Sequence, residues 1–305
     1  MNSTISAFVV PLTLLATAYV SQEPVPAQTT DYRFKVDASL VLVPTTVMSP
    51  TGGPVSNLER DAFEVYENGE LCELVMFERH AALPVQLVLM IDTSLSTMTA
   101  LRHEQEAAAE FIREVLRPQD WAALYEFSGG VHQRVAFTGD VASLEQGLFL
   151  LRAQAGTALY DAIVEASEEL RKREGRRVLV IVSDGTDTTS ERDFQAALQA
   201  AQYAEVALFS LLIRPIPGES GRNMRGEQVL IAFAEMTGGQ VFFPDSTEEL
   251  AASFGKLRDV LGTQYLLGYR PPIHNEGDDF HRIEVRVRSG GYVVRHRRGY
   301  WHYSQ

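Results

Sequence analysis

Residues 86–98, "QLVLMIDTSLSTM", decide how this chain is read. Leu87 to Ile91 are apolar without interruption, which a strand with one wet face does not allow. Such a run marks a central strand covered on both sides, as in parallel sheets. It stops abruptly at Asp92, and Ser94 and Ser96 follow at alternate positions. Oxygen-bearing side chains at such a strand end either cap the next helix or hold a ligand.

Strands and helices alternate outward from this point. "ALRHEQEAAAEFIREVLR" sets Leu101, Ala108, Phe111, Ile112, Val115 and Leu116 on one helical stripe. "DWAALYEFSGGVHQRVAF" reads as an antiparallel strand pair about a Ser-Gly-Gly turn. "TALYDAIVEASEELRKRE" repeats Leu159, Ile163, Ala166 and Leu170 at helical spacing, and "RRVLVIVSDG" is a second buried strand running into Asp184. A helix (190–203), a strand (206–213), a helix (226–237), the short strand "QVFF" and a helix (246–261) complete a doubly wound α/β domain with a mostly parallel sheet.

Both ends of the chain are β-rich. "FKVDASLVLVPTTVMS" and "DAFEVYENGELCELVMFE" precede the α/β region, the latter with Asn68-Gly69 as a type I′ hairpin turn. "QYLLGYR", "FHRIEVRVRS" and "GYVVRHRRGYW" follow it. Neither end is large enough to bury a core alone. The expectation is one small β-sandwich built from 32–81 and 263–305, with 82–262 inserted between its halves.

Composition narrows the function. The 305 residues are 45% apolar and 22% charged, as in a soluble globular protein. A net charge of −13 argues against a nucleic-acid partner. The C-terminal arginines alternate with Ile283, Val285 and Val287 and read as a solvated strand face. Cys72 is the only cysteine, so no intrachain disulfide or cysteine-held zinc is available. "HEQEA" at 103 carries Ala107 where a zinc hydrolase needs its second histidine. Residues 1–28 are read as a signal peptide or N-terminal anchor: 7–20 are apolar for about the length of a signal core and too short to span a membrane comfortably, although no Lys or Arg precedes them. The protein is therefore expected to be exported, periplasmic or extracellular, touching a membrane only if that segment is retained.

The strand ends carry the chemistry. Asp92, Ser94 and Ser96 close one buried strand and Asp184 follows another, while Thr157 opens the helix between them. In a doubly wound sheet these positions converge on the carboxyl ends, where ligands bind. Each has an ordinary reading taken alone: the serines and threonine as helix caps, and Asp184 before Gly185 as a turn residue. Five hard oxygen donors at one end of one sheet favour a common ligand.

This pattern, Asp92-Thr-Ser94-Leu-Ser96 with Thr157 and Asp184, resembles the metal-ion-dependent adhesion site of von Willebrand factor type A domains, with every motif position present. The likeness covers about 82–262. The flanks "DAFEVYENGE" and "QYLLGYRPP…RGYW" resemble a bacterial exported subfamily that embeds such a domain in β-rich segments. The resemblance implies a Mg²⁺ or Mn²⁺ ion bound directly by Ser94, Ser96 and Thr157, with Asp92 and Asp184 acting mainly through bound water. Neutral hydroxyls leave such an ion electrophilic, so an acidic side chain of a partner protein completes its coordination. The implied function is non-catalytic, metal-dependent protein binding.

Two other readings compete. One is a scaffold whose metal site is not essential. The other is a haloacid-dehalogenase-like phosphatase, with Asp92 as nucleophile and "SDGTDTT" as metal loop, Asp187 being the extra acid. That chemistry needs an aspartate where Ser94 stands, and Lys172 lies near the far end of its helix. No GxSxG, GxGxxG or P-loop pattern occurs. The segment 214–228, rich in Pro, Gly and Ser, is expected to flank the site as a loop.

Overall fold

A computed structural model of the chain describes residues 40–80, 82–95, 101–213, 224–272, 280–288 and 290–301. The expected export segment, the start of the first expected strand, Ser96 and most of the 214–228 loop lie outside these. The stretch 37–305 forms one compact unit.

The central sheet is six-stranded. Its strands are β5 (Val85–Asp92), β6 (Trp121–Phe127), β7 (Val131–Thr138), β8 (Arg176–Ser183), β9 (Ala207–Leu212) and β10 (Val241–Phe242), in the order β10-β9-β8-β5-β6-β7. β5 pairs in parallel with both β6 and β8, and only the β6–β7 edge is antiparallel. The chain leaves β5 toward β6 and later returns to β8 on its other side. The order therefore reverses at β5, the switch point where doubly wound sheets bind ligands.

Side-chain alternation along β5 explains its unbroken apolar run. Leu87, Leu89 and Ile91 face a core built with α1 (Leu101–Val115), α2 (Val141–Leu150) and α6 (Thr247–Thr263). Val88 and Met90 face the opposite core, with α3 (Leu159–Arg171), α4 (Phe194–Tyr203) and α5 (Met224–Thr237). With a helical layer on each face, neither set of side chains can be polar. Helix α2 is an addition to the sequence reading. Asp140 caps it, accepting hydrogen bonds from the Ala142 N–H (3.1 Å) and the Ser143 hydroxyl (2.5 Å).

The chain ends do form a sandwich. β1 (Val41–Met48), β4 (Leu74–Glu78), β11 (Tyr265–Tyr269) and β13 (Val293–Arg295) make one sheet, in the order β13-β1-β11-β4. β2 (Phe63–Glu67), β3 (Glu70–Cys72), β12 (Phe280–Val287) and β14 (Gly299–Trp301) make the other, in the order β14-β12-β2-β3. Val41 pairs with Tyr269 and Ile283 with Glu67, so strands from opposite ends of the chain share both sheets. Val43, Val47, Phe63, Val65, Tyr265, Leu267 and Val285 fill the space between them.

The hairpin turn is as expected: Asn68 and Gly69 both have positive φ (50° and 89°), as a type I′ turn requires. The hairpin ends sooner than the sequence suggests. It stops at Cys72, and β4 crosses to the opposite sheet. "GYVVRHRRGYW" likewise divides between the two sheets, as β13 and β14.

His296 makes this framework acid-sensitive. Its ring is buried; Nε2 accepts the Val285 N–H (3.1 Å), so Nδ1 carries the proton and donates to the Arg297 carbonyl (2.7 Å). A second ring proton would remove the acceptor. Burial, the largest cause, holds the imidazole below its ordinary 6.5. A depressed folded value gives stability that is complete above 6.5 and lost as pH falls through the folded value. Urea unfolding of wild type is expected to show a lower midpoint at about pH 5 than at about pH 7.5, and His296→Gln should lose less over that interval.

Candidate functional site

Asp92 ends β5 fully buried. Its Oδ1 accepts the Ser94 N–H (2.9 Å) and its Oδ2 accepts the Ser183 hydroxyl (2.6 Å). Ser183 ends β8 and also takes the Gly185 N–H (3.0 Å), so the two strand ends are linked through one hydroxyl. Burial pushes the Asp92 carboxyl up to about 6; the bonds from Ser183 and Ser94 oppose this, and the charge of Asp184 adds to it.

Asp184 is buried beside it, and its Oδ1 accepts the Thr186 N–H (2.8 Å). The turn-residue reading of Asp184 is thus correct as far as it goes, and the turn fixes the carboxylate at the site. Gly185 has φ +77°, and a Cβ there would lie 2.4 Å from the Gly226 carbonyl oxygen. The loop after β8 is therefore pressed against the start of α5.

Thr157 is held by its backbone. Its N–H donates to Thr188 Oγ1 (2.9 Å), and its carbonyl accepts from the N–H groups of Thr188 (2.8 Å) and Thr189 (3.1 Å). The next residue, Ala158, donates to the Ser128 carbonyl after β6 (2.6 Å), and Gln154 N–H bonds the Thr93 carbonyl after β5 (2.7 Å). The loops following β5, β6 and β8 are thereby stapled to the segment leading into α3. Four of the five expected site residues, Asp92, Ser94, Thr157 and Asp184, are buried within this bonded set.

The capping alternative for Thr157 is not what the structure shows. The cap position of α3 is Ala158, without a side-chain cap bond. The Tyr160 and Asp161 N–H groups instead donate to Ser190 Oγ (3.1 and 3.2 Å). Asp187, the extra acid of the phosphatase reading, accepts the Ser190 hydroxyl (2.5 Å) and the Tyr160 N–H (3.3 Å) and so ties this loop together. Lys172 sits at the other end of α3, exposed.

Glu104 was not among the expected site residues. It lies in the first turn of α1, completely buried, and neither carboxylate oxygen has a hydrogen-bond partner. Burial, then the charges of Asp92 and Asp184, push its carboxyl well above the usual range. The sequence does hold a signal: Glu104 stands three residues after Leu101 and four before Ala108, on the apolar stripe itself.

Among the described residues the site offers hard oxygen donors: two carboxylates and two hydroxyl side chains. That set suits Mg²⁺ or Mn²⁺ rather than zinc or copper. Among the described residues no three His, Cys, Asp or Glu side chains converge closely enough to hold an ion unaided, so hydroxyls must contribute to any site here.

The fold is an α/β domain of the doubly wound class with oxygen donors gathered at its switch point. Comparison with protein families finds a likeness over part of the chain: residues 87–186 match the model of the von Willebrand factor type A domain. The span matched contains Asp92, Ser94, Ser96, Thr157 and Asp184. A von Willebrand factor type A structure from Catenulispora acidiphila superposes at TM-score 0.50 and 13% identity, covering 84% of this chain and 71% of its own. A conserved hypothetical protein, BatB from Bacteroides thetaiotaomicron, is 20% identical at TM-score 0.47, covering 58% of this chain and 98% of its own. The vWF domain of the type V pili tip protein Mfa5 from Porphyromonas gingivalis is 14% identical at TM-score 0.47, covering 58% and 94%. Comparison with curated proteins finds no match.

Proposed function

We propose that this chain is an exported, non-catalytic protein-binding module that captures an acidic group of its partner through a Mg²⁺ or Mn²⁺ ion. Von Willebrand factor type A domains often mediate protein–protein interactions; the metal bridge is the finer step. The observation that carries it is the burial of Asp92, Ser94, Thr157 and Asp184 in one bonded set at the sheet's switch point. When bound, the ion supplies a Lewis-acidic position for an incoming carboxylate.

The protein's own groups do the rest. Ser94, Ser96 and Thr157 offer neutral hydroxyls, which leave a divalent charge only partly compensated. Asp92 and Asp184, each fixed by a backbone N–H, orient water. Export rests on the apolar segment 7–20; among the described residues no helix is long and apolar enough to cross a membrane. A scaffold with a dispensable ion is the second reading, favoured by how far the site loops are already held by protein–protein hydrogen bonds.

Capture experiments separate the two. With immobilised full-length protein, partner retention is expected in Mg²⁺ and loss in EDTA. Thr157→Ala should keep some metal affinity through the serines yet lose most of the partner. Retention undiminished in EDTA would leave the scaffold reading in place.

A further inference from the structure

We propose that Glu104 is an additional acidic residue of the metal site, holding ion-bound water from the α1 side; this rests on the metal-dependent reading above. The described motif residues come from the end of β5 (Asp92), the stretch just after it (Ser94), the loop after β8 (Asp184) and the approach to α3 (Thr157). Glu104 comes from a helix, in its first turn and fully buried.

A buried carboxyl group without a hydrogen bond costs several kcal/mol unless something compensates it. Neither Glu104 oxygen has a hydrogen-bond partner, and it feels the charges of two further acids, Asp92 and Asp184. Ionised together, these three carboxyl groups would repel one another without a cation. Packing does not explain the residue, because Leu101, Ala108 and Phe111 show that apolar side chains suit this stripe. A divalent cation with attached water resolves both problems: it offsets the charge, and its water donates hydrogen bonds.

Action through water, not direct ligation, fits, since among the described residues no three His, Cys, Asp or Glu side chains converge closely enough to share an ion directly. Mg²⁺ ordinarily keeps several waters in protein sites. Outer residues that orient metal-bound groups typically matter 10–100-fold for affinity.

The test is a pair of measurements on full-length wild type and Glu104→Gln, which preserves shape and removes the charge. Calorimetric titration of Mg²⁺ into metal-stripped protein is expected to show about 10-fold or greater weakening in the variant. The melting temperature of the metal-free variant should equal or exceed that of wild type, because a repulsive buried acid has been removed. A residue needed only for packing predicts the opposite sign. Equal Mg²⁺ affinity in both proteins would overturn the assignment, as would weakened binding accompanied by a lower metal-free melting temperature. Wild type that binds no Mg²⁺ would instead bring down the metal reading of the whole site, a distinct result.

Discussion

Replacing Glu67 with alanine is expected to destabilise the protein by about 3–5 kcal/mol, more than any surface substitution. Glu67 ends β2 with its side chain inside the sandwich, fully buried. It accepts the Tyr269 hydroxyl at 2.5 Å and the Tyr300 hydroxyl at 3.2 Å, and His281 Nδ1 lies 3.0 Å away. These partners come from β11, β14 and β12, so one carboxylate joins strands of both sheets and both ends of the chain. Burial, followed by the contact with Glu67, raises the Tyr269 hydroxyl far above its ordinary range, which keeps it a donor. Removing Glu67 takes a shared partner from two buried hydroxyls and an imidazole at once. Tyr269→Phe deletes a single donor and should cost less, about 1–3 kcal/mol. Urea unfolding measures both; a loss below about 1 kcal/mol for Glu67→Ala would show that the cluster does not tie the sheets together.

Gly185→Ala is expected to damage stability and site together. Its φ of +77° costs a residue with a Cβ about 1–2 kcal/mol. The new methyl would also meet the Gly226 backbone, with the carbonyl carbon at 2.6 Å and Cα at 2.9 Å. Backbone at the start of α5 cannot swing away as a side-chain tip can. The loop after β8 must therefore shift, carrying Asp184 and the Gly185 N–H that holds Ser183 against Asp92. Thermal unfolding should register the strain, and Mg²⁺ titration the displaced aspartate. Retention of wild-type values in both would mean that the loop relaxes without moving the site.

Much of this was legible in the residues because it depends on short-range patterns. The unbroken runs of β5 and β8 gave away a sheet covered on both faces, and Asn68-Gly69 marked the turn between β2 and β3. Asp92 and Asp184 could be placed at strand ends because an aspartate stopping an apolar run has little other place to go. Less legible were features set by long-range packing. Helix α2 has only Leu144 and Leu148 fully facing the core beside Gly147, too narrow a stripe to stand out. The crossing of β4 to the other sheet turns on Glu73, and nothing local distinguishes that from a continuing hairpin. Glu104 and Glu67 were visible as acids at apolar positions, on a helical stripe and on the alternation Phe63, Val65, Glu67. What each faces was not, since their neighbours lie on other strands and loops.

The central claim is that this domain holds one divalent ion through its hydroxyl and carboxylate set. Calorimetric titration of Mg²⁺ into metal-stripped full-length protein, beside the double variant Ser94→Ala with Ser96→Ala, tests it most directly. One-to-one binding to wild type, abolished or severely weakened in the double variant, is the predicted result. Equal binding by the two proteins, or none to wild type, would contradict it.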